Sequence, residues 1–343
     1  MELERPIETR MAVSFLLVNY NMRPLVESCV EGVIRQMRES GLAYEVLVGD
    51  NSRDPQFALT GESFSRAPQV ILHKMEDATG WIPALNRLIP EARGRVICIM
   101  HPDIEFAEGC VRRCVEYLDA HPEAGVVAPN PYCSEDVPYK VCMSFPTPLS
   151  ELKRMLNLLC QLTLRCKPFS EFRAWNHTED AIVESVQSNC YFCRSELLRE
   201  IGPIGAGLHS YWGNDYICKA AQQKGWRVFY LAGPRIIHHG PRTPQMVFSG
   251  VTAMRYKKSG IIGEVGSERD RLRFIRHFYS PASAACIRTL AVLEFAVRAA
   301  VAWVKGGCAA TEESRVYWRI CGIALRDTGA RPAPLGHEGT KDG

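Results

Sequence analysis

In the first part of the chain, unbroken apolar runs alternate with stretches whose apolar positions recur every three or four residues. Residues 13–18 are apolar except for one serine and predict a first strand that ends at Asn19-Tyr20-Asn21. Residues 25–37 follow with apolar side chains at 25, 26, 29, 30, 33, 34 and 37, a helical period with one buried face, and Pro24 suits a first turn. Residues 44–48 and 70–73 predict the next two strands, and 96–100, five apolar residues in a row, predict a strand buried on both faces. Between them a helix opens after Gly80 and runs to residue 93, with an end or kink at Pro90 and Gly94 as its stop. Strand, helix, strand is the unit of nucleotide-binding sheets, so the predicted class is α/β, a mixed central sheet flanked by helices.

Further along, a helix is predicted over 108–120, with Val111, Val115 and Leu118 on one face, and a short strand over 125–128. Residues 129–150 are rich in Pro, Ser and Thr and read mostly as loop, and 152–167 form a basic amphipathic segment. Residues 187–194 predict a strand, Ser195 caps a helix over 196–201, a helix over 216–224 stops at Gly225, and 226–231 predict another strand. In the extended stretch 234–240 the adjacent His238 and His239 point to opposite faces, so one of them meets a site at the strand end.

Composition narrows the class. A 46% hydrophobic content supports a large core, and a net charge of +3 gives no footprint for nucleic acid. Fourteen scattered cysteines and an N-terminus without a signal-like apolar stretch point to a reducing cytoplasm. Cys110 with Cys114 and Cys190 with Cys193 read as buried thiols acting as small hydrophobes, with a zinc site as the alternative. Residues 255–305 carry ten Lys or Arg against four Asp or Glu, a balance of +6. Within them, 287–304 place Leu290, Leu293, Val297, Val301 and Val304 near one face, but Arg288, Glu294 and Arg298 interrupt them. That is a poor spanning helix; peripheral contact with a membrane interface through 281–305 and an ordinary docked helix are its two readings.

Three carboxylates carry the candidate chemistry. Asp103 follows the central strand, where open α/β sheets place ligand groups, and is the candidate to hold Mn²⁺ or Mg²⁺ against a nucleotide diphosphate. Asp50 follows an earlier strand and either accepts from a base N–H or ribose hydroxyl or shapes a turn. Asp215 is the candidate general base for an acceptor hydroxyl, the alternative being a carboxylate that favours a helix N-terminus. His238 is the candidate for the metal or diphosphate, or a structural histidine. Gly80 permits close backbone approach to a phosphate. Neither Gly-x-Gly-x-x-Gly nor Gly-x-x-x-x-Gly-Lys-Ser/Thr occurs, which argues against hydride transfer with a dinucleotide and against ATP hydrolysis.

The order and spacing of Val18-Asn-Tyr-Asn21, Gly49 to Asp54, Gly80 to Asn86, Gly94 to Asp103, Tyr191 to Gly202, Trp212 to Asp215 and Ile237 to Gly240 resemble the inverting glycosyltransferase family 2 of the GT-A fold. The pattern especially resembles the rhamnosyltransferase-like branch that acts in bacterial cell-surface polysaccharide synthesis. The resemblance spans roughly residues 12–242. It implies a nucleotide-sugar donor, dTDP-rhamnose favoured and UDP-sugars open, and a saccharide acceptor; the basic C-terminal region fits a lipid-linked saccharide acceptor, with the protein in the cytoplasm or at the inner face of the cell membrane. The resemblance assigns Asn19, Asp50, Gly80, Asn86, His101 and Asp103 to the nucleotide sugar, Asp103 and His238 to the metal, Asp215 to the base role, and Trp212 and Asn214 to the acceptor side. Two positions depart from the family pattern. His101 stands where Asn or Asp is usual, replacing an oxygen ligand by imidazole, and Asn214 stands where Glu is common, removing a negative neighbour of Asp215.

The expected organisation is a lead over 1–11, a nucleotide-sugar-binding half over 12–128 and a loop with amphipathic helix over 129–185. An acceptor-side half over 186–254, a basic helical extension over 255–327 and a disordered tail over 328–343 follow. Two rival classes are a nucleotidyltransferase, for which Asn19-Tyr20-Asn21 lacks the glycine- and basic-rich loop, and a noncatalytic sugar-binding or scaffold protein with a degenerate transferase fold.

Overall fold

The computed structural model describes residues 11–75, 80–134, 137–138, 141–166, 169, 177–186, 190–205, 207–239, 252–305 and 308–326. Residues 1–10 of the predicted lead at 1–11, and the tail at 328–343, lie outside the described residues. The chain divides into two compact units. One comprises Met1–Phe145, Phe172–Ile204 and Ile217–Phe248, the other Pro146–Glu171, Gly205–Tyr216 and Ser249–Gly343.

The first unit is built on β1 (Val13–Asn19), α1 (Arg23–Ser40), β2 (Tyr44–Asp50), β3 (Val70–Lys74), α2 (Trp81–Leu88), β4 (Val96–Met100), β5 (Ile104–Phe106), α3 (Cys110–Ala120) and β6 (Ala124–Ser134). Two short strands follow, β7 (Val137–Pro138) and β8 (Cys142–Met143). α4 (Pro148–Thr163) belongs to the second unit, and β9 (Ala181–Ile182), β10 (Ser185–Val186), β11 (Cys190–Arg194) and α5 (Ser195–Ile201) return to the first. The helix α6 (Gly213–Gln223) and the strand β12 (Arg227–His238) come next.

Among the described residues the main sheet runs β3-β2-β1-β4-β11-β6-β12-β5. β3, β2, β1 and β4 are parallel, and β11 pairs antiparallel with both β4 and β6. The chain leaves β1 toward β2 and β3, then returns to lay β4 on the other side of β1. That reversal opens a crevice at the carboxyl ends of β1 and β4, the place where such sheets bind ligands. Alternation sorts the two faces: Phe15 and Leu17 of β1 join Val30 and Val33 of α1 and Val111 and Val115 of α3 in one core. α2 lies against β1 and β2, with Ile82, Leu85 and Leu88 fully buried.

At the opposite, amino ends of the strands, Gly94 seats the approach to β4 against β1. Its N–H donates to Ser14 Oγ at 2.8 Å, and a Cβ there would stand 2.5 Å from Ser14 N. Ser14 Oγ in turn donates to buried Glu45 at 2.6 Å.

Several boundaries differ from the pattern-based expectations. α2 stops at Leu88, and Ile89–Glu91 continue as a 3₁₀ turn, because Pro90 has no N–H for the helical ladder. β6 continues to Ser134, through what reads as loop. Pro129 and Pro131 are two apart, so both missing N–H groups fall on one side of the strand, and residues 130–132 pair with β12. β12 is likewise one strand through the bulge between Leu231 and Arg235, and it carries His238 at its end. α6 begins three residues before the predicted start, which puts Asp215 inside its first turn.

The second unit holds α4, the segment 205–216, α7 (Thr252–Phe278), α8 (Pro281–Lys305) and α9 (Cys308–Arg326). α4 starts inside the predicted loop, where Thr147 and Ser150 cap it reciprocally and Pro148 takes the first position. Arg154 on α4 meets Glu294 on α8 at 2.6 Å, and buried Arg271 pairs with Glu151 and Glu268. Burial acts against the Arg271 charge, and the two carboxylates outweigh it. α8 packs with Ile287, Ala291, Phe295, Ala299 and Ala302 rather than with the predicted Leu and Val positions, since small side chains let α9 approach closely. Leu293, Trp303 and Val304 are left exposed. Among the described residues no helix is long and apolar enough to cross a membrane.

Candidate functional site

The carboxyl end of β1 and the loop after β2 are tied together by side-chain amides. Asn19 Nδ2 donates to Asp50 Oδ1, Ser52 Oγ and the Phe57 carbonyl, each at 2.9 Å, and Asn19 Oδ1 accepts from Met22 N at 2.9 Å at the start of α1. Asp50 also accepts from Ser52 N at 3.2 Å and, through Oδ2, from Leu59 N at 2.9 Å. Asn21, in the left-handed region with φ 57°, accepts from Arg53 N and Asp54 N at 3.1 Å each. Asn19 and Asp50 thus hold a shaped loop over residues 50–59, and both Asp50 oxygens serve protein donors.

Gly80, with φ 101°, precedes α2, and its carbonyl accepts from Asn51 Nδ2 at 3.3 Å. A residue with a Cβ is strained at that φ, which accounts for the glycine. Asn86 does something its sequence position did not reveal. Its Nδ2 donates to the Ile204 carbonyl at 2.9 Å and its Oδ1 accepts from Ile204 N at 2.8 Å, so both polar ends clasp the chain after α5. No sequence signal marks that partner, which lies 118 residues away.

A second group forms where β4 ends. Antiparallel pairing of β5 with β12 sets Ile104 opposite His238 and Glu105 opposite Ile237. His238 Nε2 then lies 3.0 Å from Asp103 Oδ2, while His239 N donates to the Asp103 carbonyl at 2.9 Å. His239 Nε2 lies 2.9 Å from Glu105 Oε2, so the two histidines reach different carboxylates. Asp103 Oδ1 is buried and has no hydrogen-bond partner among the described residues. Burial works against the Asp103 charge, but the hydrogen bond and charge of His238, with His101, hold its carboxyl below the usual range. Burial pushes His101 down, favouring neutral imidazole, and its ring meets Trp81 edge-on at 5.2 Å. Asp103, Glu105 and His239 also line a cavity of about 280 Å³ with Cys29 and Arg35.

Cys29 borders this cavity as a buried thiol. Burial raises Cys29, Cys98, Cys114, Cys190 and Cys193, which disfavours thiolate. Among the described residues no group of three or more His, Cys, Asp or Glu side chains is arranged to hold a metal ion.

Trp212, Asn214 and Asp215 belong to the helical unit. The Trp212 carbonyl takes the first helical hydrogen bond, from Tyr216 N at 2.9 Å, so Gly213, Asn214 and Asp215 fill the first three helical positions. Asp215 is buried in that first turn, where the helix dipole favours its charge. Trp212 has φ 65°, a conformation that costs a bulky residue about 1–3 kcal/mol and persists only where surroundings hold it.

A family model described as "Glycosyl transferase family 2" matches residues 14–174. Two solved structures share the fold at low identity. GalNAc-T7, solved with UDP, GalNAc and Mn²⁺, is 16% identical with a TM-score of 0.51; the match covers 74% of this chain but 48% of that one, so the chain spans about half the length of GalNAc-T7. The mannosyltransferase PcManGT from Pyrobaculum calidifontis, in complex with GDP-Man and Mn²⁺, is 15% identical with a TM-score of 0.52, covering 93% of this chain and 87% of that one. No curated protein sequence matches.

Proposed function

We propose that this chain, a glycosyltransferase of the family 2 type on a GT-A fold, transfers a sugar from a nucleoside-diphosphate donor to a saccharide hydroxyl with inversion of the anomeric centre. The observation that carries the reading is Asp103, at the crevice end of β4, with one buried oxygen lacking a partner among the described residues and the other beside His238. Those residues fit a hard divalent cation, since an orphaned carboxylate oxygen is the ligand such an ion prefers. Asp103 and His238 would hold Mn²⁺ or Mg²⁺, with neutral His101 nearby. When bound, the cation supplies positive charge beside the diphosphate as it leaves.

The chain's own residues do the rest. The loop that Asn19 and Asp50 shape, with the Gly80 backbone, receives the nucleotide. Asp215 takes the proton from the acceptor hydroxyl as that oxygen bonds to the anomeric carbon from the face opposite the diphosphate. The bond from sugar to diphosphate breaks in the same step, so a covalent sugar–enzyme intermediate is not needed. The motif resemblance assigns Trp212 and Asn214, which shortly precede the base in the chain, to the acceptor side. The favoured donor is dTDP-rhamnose, on the motif resemblance, with UDP-sugars next. A lipid-linked acceptor and peripheral membrane contact through residues 281–305 extend the reading, supported by the exposed Leu293, Trp303 and Val304.

The test is nucleotide release from a panel of dTDP-, UDP- and GDP-sugars with and without Mn²⁺, run with a saccharide acceptor set. One donor should be turned over in a metal-dependent way. Asp103→Asn should abolish the metal dependence with the rate, and Asp215→Asn should lower kcat about 10²–10⁴-fold with donor binding retained. Absence of both donor binding and release across the panel would refute the proposal.

A further inference from the structure

The catalytic turn of the helical unit rests on a single stripe of α7. Gly266, Asp270, Phe274 and Phe278 recur every four residues and so share one face of that helix. Asp270, its side chain 1% exposed, accepts three consecutive backbone N–H groups through one oxygen: His209 and Ser210 at 3.0 Å and Tyr211 at 3.1 Å. Successive amides converging on one carboxylate fix the backbone direction of the segment they belong to. That segment runs directly into Trp212. The Trp212 ring lies 5.2 Å from Phe274, and the Tyr216 ring, one residue past Asp215, lies 5.0 Å from Phe278. At the near end of the stripe, a Cβ on Gly266 would stand 3.1 Å from the Tyr211 ring. Arg273 reinforces the anchor, 3.6 Å from Asp270 Oδ1 and donating to the Gly207 carbonyl.

These contacts supply what the left-handed Trp212 requires, namely surroundings that leave it no easier conformation. A bulky residue released from that φ would rotate the first turn of α6 and redirect Asp215. We propose that Asp270 is a positioning residue: from α7, outside the span of the family model, it locks residues 209–211 and thereby aims the Asp215 carboxylate at the acceptor. Gly266 is part of the same device because it leaves room for the Tyr211 ring. The inference rests on Asp215 being the base.

The test uses the full chain in five forms: wild type, Asp270→Asn, Asp270→Ala, Gly266→Ala and Asp215→Asn. Amide hydrogen exchange over residues 207–216 reads the anchor itself, and kcat against donor KM, with the donor identified by the panel, reads its consequence. Both Asp270 variants should speed exchange at 209–211 by at least about tenfold. They should lower kcat by about 10–100-fold, the scale of a misplaced reacting group, and leave donor KM within about twofold. Gly266→Ala guards against loss of folding, because alanine improves the helix while pressing on Tyr211. It should keep or raise Tm and still lower kcat by about 3–10-fold. Unchanged exchange would overturn the anchor. An unchanged kcat in folded Asp270 variants, or a donor KM that rises as kcat falls, would overturn the positioning role. Full activity in Asp215→Asn would instead remove the base assignment on which it rests.

Discussion

Replacing Asp50 with Asn separates the two jobs open to a carboxylate at the end of β2. Asp50 is 8% exposed, with Oδ1 accepting from Asn19 Nδ2 and Ser52 N and Oδ2 from Leu59 N. An amide has one acceptor atom, so one side of this arrangement must lose its partner. With the amide oxygen at the Oδ1 position, the amide NH₂ confronts the Leu59 N–H, a buried donor whose desolvation costs about 1–3 kcal/mol. The two remaining bonds also lose their charge assistance, a further cost of about 1 kcal/mol. The sum is about 2–4 kcal/mol, measured by equilibrium urea unfolding. Titration of dTDP and UDP into the folded variant then assigns the role. A fall in nucleotide affinity below about tenfold leaves Asp50 as the organiser of the 50–59 loop. A fall beyond about 100-fold, close to 3 kcal/mol, adds a direct contact with the nucleotide. Stability within about 0.5 kcal/mol of wild type would refute the hydrogen-bond reasoning.

Two predictions concern the other end of the strands. Burial works against the Glu45 charge, but hydrogen bonds from Ser14 and from the backbone and side chain of Arg93 outweigh it and hold its carboxyl low. A depressed folded value means that the unfolded chain binds the extra proton, so this stabilisation is present above the ordinary 4.5 and is lost as pH falls through the folded value. Glu45→Gln should therefore lower stability at pH 7 and flatten the acid limb of a stability-against-pH series; an unchanged limb would count against the assignment. Gly94→Ala would set a Cβ 2.5 Å from Ser14 N and 2.8 Å from the Val13 carbonyl carbon. Because backbone must move, the loss should be about 1–3 kcal/mol or more, read as a drop in Tm, and an unchanged Tm would show that β1 and the approach to β4 separate freely.

Local pattern made most of the first unit legible. The five-residue run that became β4, the helical period of α1 and the strand-end positions of Asn19, Asp50 and Asp103 were all readable because each depends on a residue's near neighbours. Pattern failed where pairing overrode local preference. Pro129 and Pro131 read as loop, yet β6 continues past them because β12 lies alongside. On α8, hydropathy singled out leucines and valines, whereas packing against α9 selected alanines and Phe295. The clasp of the Asn86 amide on Ile204 was not legible either, because its partner lies 118 residues away.

By itself the sequence determined the α/β class, the ends of the first strands β1, β2 and β4, and which carboxylates stand at or just after the ends of β2 and β4, since these follow from side-chain periodicity and turn chemistry over a few residues. Only the tertiary structure decided which of those residues meet. His238 reaches Asp103 because β12 pairs with β5, and Asp270 reaches residues 209–211 because α7 turns one stripe toward them. Such meetings join chain segments far apart in sequence. Their free energy comes from burial and pairing across the whole fold, so no local stretch of the chain encodes them.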